Sequence, residues 1–191
     1  MITSERFDLV KEKYAFYSSW AIWAQAGEKP KSNIGDLSVL DPNQNPSLLS
    51  QLNPEIVFLA LNISRGDIIH PFGNFHDARS EATDYKIRFA LQDSIYWGGY
   101  MTDIIKDFDE KHSGKVISYL KKHEDIIHKN IDQFKKELSD IGSNNPTLIS
   151  FGNDVFNILN KYLKKDFKVL KVPHYASYIS KENYRKKFQD I

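Results

Sequence analysis

Apolar positions near the start of the chain recur every three to four places, at Phe7, Val10, Tyr14, Tyr17 and Ala21, the spacing of one helix face. Ser4 stands where a cap belongs and Gly27 and Pro30 break the pattern, so it predicts an amphipathic helix from Ser4 to about Ala24. Residues 27–54 lose the periodicity and gather turn formers, as in Asp41-Pro42-Asn43-Gln44-Asn45-Pro46, which reads as a surface loop. Four short apolar runs follow, rich in β-branched and aromatic residues: Glu55 to Leu61, Gly99 to Ile105, Thr147 to Phe151 and Phe167 to Val172. Each is bounded by breakers, as a buried strand is. Helical spacing fills the intervals, at about 79–92, at 115–141 in one or two pieces, and at 154–163; a last helix, 181–189, follows Ser180 as its cap. Strand alternating with helix implies right-handed crossovers. The expected fold is α/β: a three-layer α/β/α sandwich around a central four-stranded parallel sheet. No internal repeat or low-complexity stretch interrupts it.

A length of 191 residues fits one domain, 1–191. The absence of cysteine excludes disulfides, thiolate zinc sites, iron–sulfur clusters and a cysteine nucleophile. Catalysis therefore falls to oxygen and nitrogen groups. No apolar stretch approaches the roughly 18 residues of a membrane helix, and the first residues lack the basic flank and apolar run of a secretory signal. A cytoplasmic monomer is expected. The net charge of +1 conceals an asymmetry: residues 161–191 hold nine Lys and Arg against three Asp and Glu, while residues 1–160 are net negative. Such a tail either steers a polyanion or is a solvated lysine-rich face.

Several chemistries lack their signals. Neither G-x-x-x-x-G-K-[ST] nor G-x-G-x-x-G occurs, so triphosphate chemistry is not indicated. His123 and His128 stand five apart, off one helix face, and make no ligand pair. His70, His76 and Asp77 are the only grouping suggestive of a divalent ion, and three such groups in one loop are common by chance. No metal and no cofactor is expected.

In an open parallel sheet a ligand lies beyond the carboxyl ends of the strands, where strand order reverses. The segments there are Asn62-Ile63-Ser64-Arg65-Gly66-Asp67, Lys106-Asp107, Gly152-Asn153-Asp154 and Pro173-His174-Tyr175-Ala176-Ser177. Taken in order, these segments and their strands resemble the uracil-DNA glycosylase superfamily. The stretch from Asn53 to Ser64 resembles the strand and loop reading G-I-N-P-G in mismatch-specific members. Tyr100-Met101-Thr102-Asp103-Ile104-Ile105-Lys106 is similar to the Y-x-T-N-x-[VI]-K strand, Leu148 to Asn153 to the third strand and its turn, and Val172 to Ser177 to the closing H-P-S loop. The likeness spans roughly residues 53–178 through short motifs.

The resemblance implies a metal-free enzyme that hydrolyses the N-glycosidic bond of a deaminated or modified base in DNA. That task requires flipping the nucleotide, stacking its base, reading its edge and placing a water at the sugar carbon. By resemblance, Asn62 orients the water and His174 donates to the leaving base. Phe72 or Phe75 stacks the base, the other being core. Ser64 belongs to the loop after the first strand. Asp103 stands where the family has a base-reading Asn; a carboxylate cannot both donate and accept, which points away from uracil toward a base presenting donors. Tyr178 supplies a wedge for the vacated stack, and Ser177, Lys181 and Arg185 contact the nucleic acid.

A further likeness joins Leu61-Asn62-Ile63-Ser64, Asp84-Tyr85-Lys86-Ile87-Arg88 and Gly98-Gly99-Tyr100 to small bacterial proteins reading L-N-P-S, D-P-T-x-R-R and G. It adds Asp84 and Arg88 to the site without implying DNA repair. Two other functions stay open: a non-catalytic module of the same fold that binds a nucleobase, nucleotide or nucleic acid, and an interaction protein docking through Tyr14, Phe16, Tyr17, Trp20 and Trp23 of the first helix.

Overall fold

The structure, a computed structural model, describes residues 2–63, 68–106, 108, 110 and 112–191. In chain order its elements are α1 (Ser4–Tyr14), β1 (Ser18–Trp20), a 3-10 turn (Leu37–Leu40), α2 (Leu48–Gln51), β2 (Asn53–Asn62), α3 (Tyr85–Leu91) and β3 (Gly99–Ile105). These are followed by α4 (Ser113–Leu120), α5 (Glu124–Ile141), β4 (Thr147–Phe151), α6 (Asn153–Tyr162), β5 (Lys168–Val172) and α7 (Lys181–Gln189).

The sheet order is β1-β3-β2-β4-β5. The strands β3, β2, β4 and β5 are mutually parallel, as expected, but β1 pairs antiparallel with β3. The four-stranded, all-parallel expectation is thus corrected to five strands with one antiparallel edge. The cause lies at the end of α1. Helical spacing continues through Ala21, yet Ser18 to Ala24 are all buried, and a helix cannot bury every side of seven consecutive residues beside solvent. The chain leaves the helix at Ala15 instead and lies extended against β3. Ser18 Oγ donates to Tyr14 O (2.8 Å) and Ser19 Oγ to Phe72 O (2.8 Å), which satisfies both hydroxyls inside the protein. Of the five aromatic residues of the N-terminal segment, Tyr14, Trp20 and Trp23 are core, Tyr17 is half-buried and Phe16 is exposed, so they form no continuous exposed stripe.

Alternation along the parallel strands builds the layers. Val57, Leu59 and Leu61 of β2 face α1, α5 and α6, whereas Phe58 and Ala60 face α3 and α7. β2 is central and its last six residues are buried, matching its unbroken apolar run. Behind β3, Lys106 Nζ lies 2.8 Å from Glu137 Oε2 and donates to Thr102 Oγ1 and to Asp103 O. Glu137 Oε1 also accepts from Tyr100 and Thr102, so this ion pair is compensated by hydrogen bonds, as burial demands. It pins the end of β3 under Asp103.

Helix 79–92 is shorter than expected. Only Tyr85–Leu91 is helical, because Asp84 accepts from Asp77 N–H (2.8 Å) rather than capping, and residues 77–84 become a wall beside the sheet. No helix among the described residues is long and apolar enough to cross a membrane.

Candidate functional site

From β2 the chain steps to β3 on one side and later to β4 on the other, so strand order reverses beyond the carboxyl ends of β2 and β4. A cavity of about 860 Å³ opens there, within the roughly 300–1,000 Å³ typical of ligand sites. Its walls come from the ends of β2, β3 and β4, the first turn of α6, the segment after β5 and residues 74–84. Asn62, Phe75, Asp84, Asp103 and His174, separated by up to 112 positions, all line it.

Asn62 closes β2 and is 9% exposed. Its Nδ2 donates to the carbonyls of Ile63 (3.0 Å), Phe108 (2.9 Å) and Glu110 (2.9 Å). Three carbonyls around one end of the amide fix which end is nitrogen. Oδ1 accepts no hydrogen bond among the described residues, so Asn62 meets a ligand or water as an acceptor.

His174 follows β5. Gly152 sets its place: with φ 91° and ψ 177° this residue turns β4 directly into α6, a conformation open essentially only to glycine. Its N–H donates to Val172 O (2.9 Å), and a Cβ there would lie 3.4 Å from that of His174. The Ala176 N–H donates to His174 Nδ1 (3.1 Å), which leaves the ring proton on Nε2. Although part of the residue is open to solvent, the protein around it lowers its pKa from 6.5, because burial penalises the charged ring. With Nδ1 engaged by Ala176 N–H, the ring meets the cavity as a donor through Nε2–H. Its carbonyl is held by the backbone and hydroxyl of Ser177.

Phe75, Phe151 and Tyr175 are the aromatic residues of the cavity wall, Phe75 lying edge-on to Tyr175 at 6.4 Å and tilted to Phe151 at 6.3 Å. Both phenylalanines are buried, Phe72 at 1% and Phe75 at 2% exposure; Phe72 packs 5.4 Å from Phe7, and of the two only Phe75 borders the cavity. Both have positive φ, 61° and 64°, strained for bulky residues. The bend between them turns Asn74 inward, where its Nδ2 donates to Asp103 Oδ2 (2.8 Å) and to Tyr17 O (3.0 Å). Asp103 is 2% exposed.

Other expected site residues lie elsewhere. Arg88 donates to the carbonyls of Ala24, Pro30 and Ser32 and stitches the 24–32 loop rather than the cavity; its repeated helix position could not reveal that. Lys181 lies over the Phe89 ring (4.0 Å) and pairs with Glu182. Arg185 covers the same ring (4.2 Å) and donates to Phe89 O. Both are committed to α3 instead of presenting a free cationic face. Ser177 O accepts from Lys86 Nζ (3.0 Å), while the Tyr178 side chain is fully exposed beside the His174 segment. Ser64 lies outside the described residues. Among the described residues no group of three His, Asp or Glu could hold a metal ion; the His76 nitrogens sit 3.0 Å from Asn74 O and Ile22 O.

Two contributors escaped the sequence reading. Asn74 has no signal beyond its place in a Gly-Asn turn. Tyr175 stacks on His174 with ring centres 4.3 Å apart, and its adjacency to a strand-end histidine was the available clue. No protein-family model, curated protein or solved structure matches this chain.

Proposed function

We propose that this protein is a DNA glycosylase-like hydrolase of uracil-DNA glycosylase type, acting without metal on a deaminated or modified base turned out of the helix. The observation that carries the reading is the pairing in one cavity of Asn62 Oδ1, an acceptor with no partner among the described residues, with a donor, His174 Nε2–H. Hydrolysis of an N-glycosidic bond needs those two groups. A water held by Asn62 keeps a lone pair for the sugar carbon, and a preorganised donor meets charge arriving on the base, worth roughly 10²–10³ in rate for one such donor. Phe75 supplies a face for stacking and Tyr178 a side chain to fill the vacated step.

An amide orients water without taking its proton, so turnover by this site is slow. That same feature favours the second reading, a module that binds a nucleobase or nucleotide without cleaving it. Incubation with duplexes holding uracil, hypoxanthine, xanthine or mismatched thymine, followed by alkali, separates the two. Strand breaks that vanish in Asn62→Ala and His174→Ala support the hydrolase. Binding without breaks supports the module, and breaks that persist in both variants overturn the assigned roles.

A further inference from the structure

We propose that Lys86, with Lys31 beside it, grips a backbone phosphate of the DNA strand whose nucleotide enters the cavity. This rests on the reading of a flipped nucleotide above and adds the contact that holds its strand.

Lys86 stands in the first turn of α3 and is 8% exposed. A lysine this buried normally has a carboxylate against its ammonium, as Lys106 has Glu137. Lys86 has none among the described residues. Its Nζ donates to one neutral acceptor, Ser177 O at 3.0 Å, although an ammonium carries three N–H groups. A second cation stands nearby. Lys31 donates to Ser80 O and its Nζ lies 5.4 Å from the centre of the Tyr85 ring, the residue before Lys86, and it too lacks a carboxylate partner among the described residues. Burial first, and then the charge of Lys31, lowers the pKa of Lys86.

Arg88, two positions on, shows how a cation with a purely structural task is satisfied here. It is 3% exposed and donates to three carbonyls, those of Ala24, Pro30 and Ser32. Lys86 and Lys31 instead form a pair of like charges with donors to spare. An anion set against both turns that repulsion into attraction.

The pair also lies where a strand has to pass. Thr83 and Ala176 line the cavity, and Lys86 and Ser177 follow them closely in the chain and meet at its rim. Tyr178, the next residue, is fully exposed. A base inserted between Asn62 and His174 leaves its sugar at the mouth with a phosphate on either side. A phosphodiester is a single negative charge that only accepts hydrogen bonds, which suits lysine as a point charge. Neither lysine belongs to the basic tail of residues 161–191.

The test measures binding, so it does not depend on cleavage. Fluorescent duplexes carrying 2′-fluorinated deoxyuridine or deoxyinosine are titrated with wild type, Lys86→Met and Lys31→Met at about 50 to 200 mM salt. Each variant is expected to bind about tenfold more weakly at the lowest salt, with a log–log slope shallower by about 1. Lys86→Arg, which keeps the charge, should restore the slope. Replacing one phosphate beside the fluorinated nucleotide by an uncharged methylphosphonate should weaken wild type by a similar factor and Lys86→Met no further. If Lys86→Met fails to fold by its thermal transition, Lys31→Met takes its place throughout. Unchanged slopes in the variants, or a methylphosphonate penalty that persists in full in Lys86→Met, overturn the inference. Inorganic phosphate that raises the thermal transition of wild type but not of Lys86→Met, with equal DNA slopes, assigns the site to free phosphate and overturns the strand. Base release from unmodified uracil or hypoxanthine duplexes is scored separately. Release with unchanged slopes leaves the hydrolase reading intact and sinks the inference, altered slopes without release do the reverse, and no binding to either duplex overturns both.

Discussion

At Asn62 three carbonyls face the amide nitrogen, and this decides which end of the side chain a ligand meets. A tempting change, Asn62→Asp, would add a stronger water activator yet set a carboxylate oxygen against those carbonyls. We expect it to lower stability by about 1–3 kcal/mol, read from urea midpoints, with no gain in base release; unchanged stability would contradict the assignment of Nδ2. His174 gives a pH signature. Its folded pKa lies below the 6.5 of the free ring, so the unfolded chain takes up the proton first as pH falls. Stability should be flat above about pH 6.5 and decline below it until the folded ring also protonates. Base release should follow the same acid limb, because protonation of Nδ1 ends its bond to Ala176 N–H. His174→Gln removes this limb; its persistence in that variant would assign it to another group. Asn62, Asp103 and His174 were legible in the sequence as strand-end polar residues. The direction of each side chain was not, since hydrogen-bond partners such as Phe108 O and Ala176 N come from elsewhere in the fold or from turn geometry.

The elements were legible wherever one period dominated. β3 and β4 coincide with their apolar runs, and α7 begins after its Ser180 cap, whose Oγ accepts from Asn183 N–H. The failures have a common cause. At Ser18–Trp20 and at residues 79–84 tertiary partners override the local pattern, an edge pairing with β3 in one case and the Asp77–Asp84 contact in the other. Gly152 is the element-scale hinge of the site, joining β4 to α6 with a backbone that side chains resist. Gly152→Ala should cost about 1–3 kcal/mol and displace His174, so that base release falls more than stability alone explains. A variant as stable and active as wild type would show that the turn does not position the ring.

For the molecule as a whole, charge is arranged less simply than the sequence suggests. Lys164, Lys165 and Lys168 precede or open β5 and so lie at the amino end of the sheet, opposite the cavity, while Lys161 pairs with Glu124 at 2.6 Å. Lys181 and Arg185 cover Phe89. The basic tail is therefore divided, and at the cavity mouth its Lys171 reaches Asn153 Oδ1 (3.0 Å). Binding to duplex DNA should then weaken only modestly with salt, with a log–log slope shallower than about −4, or four phosphates; a slope near −8 would restore the tail as one continuous contact surface. What the chain conveys about position along the sequence does not convey which end of the sheet a lysine occupies.

The account's central claim is that Asn62 and His174 stand on either side of one extruded nucleotide. A crystal structure with a duplex carrying 2′-fluorinated deoxyuridine or deoxyinosine, whose glycosidic bond resists hydrolysis, tests it most directly. The account expects the base inside the cavity against Phe75, with His174 Nε2 at its edge and a water between Asn62 Oδ1 and the sugar carbon. A nucleotide left stacked in the helix, or DNA seated on another face, would contradict it.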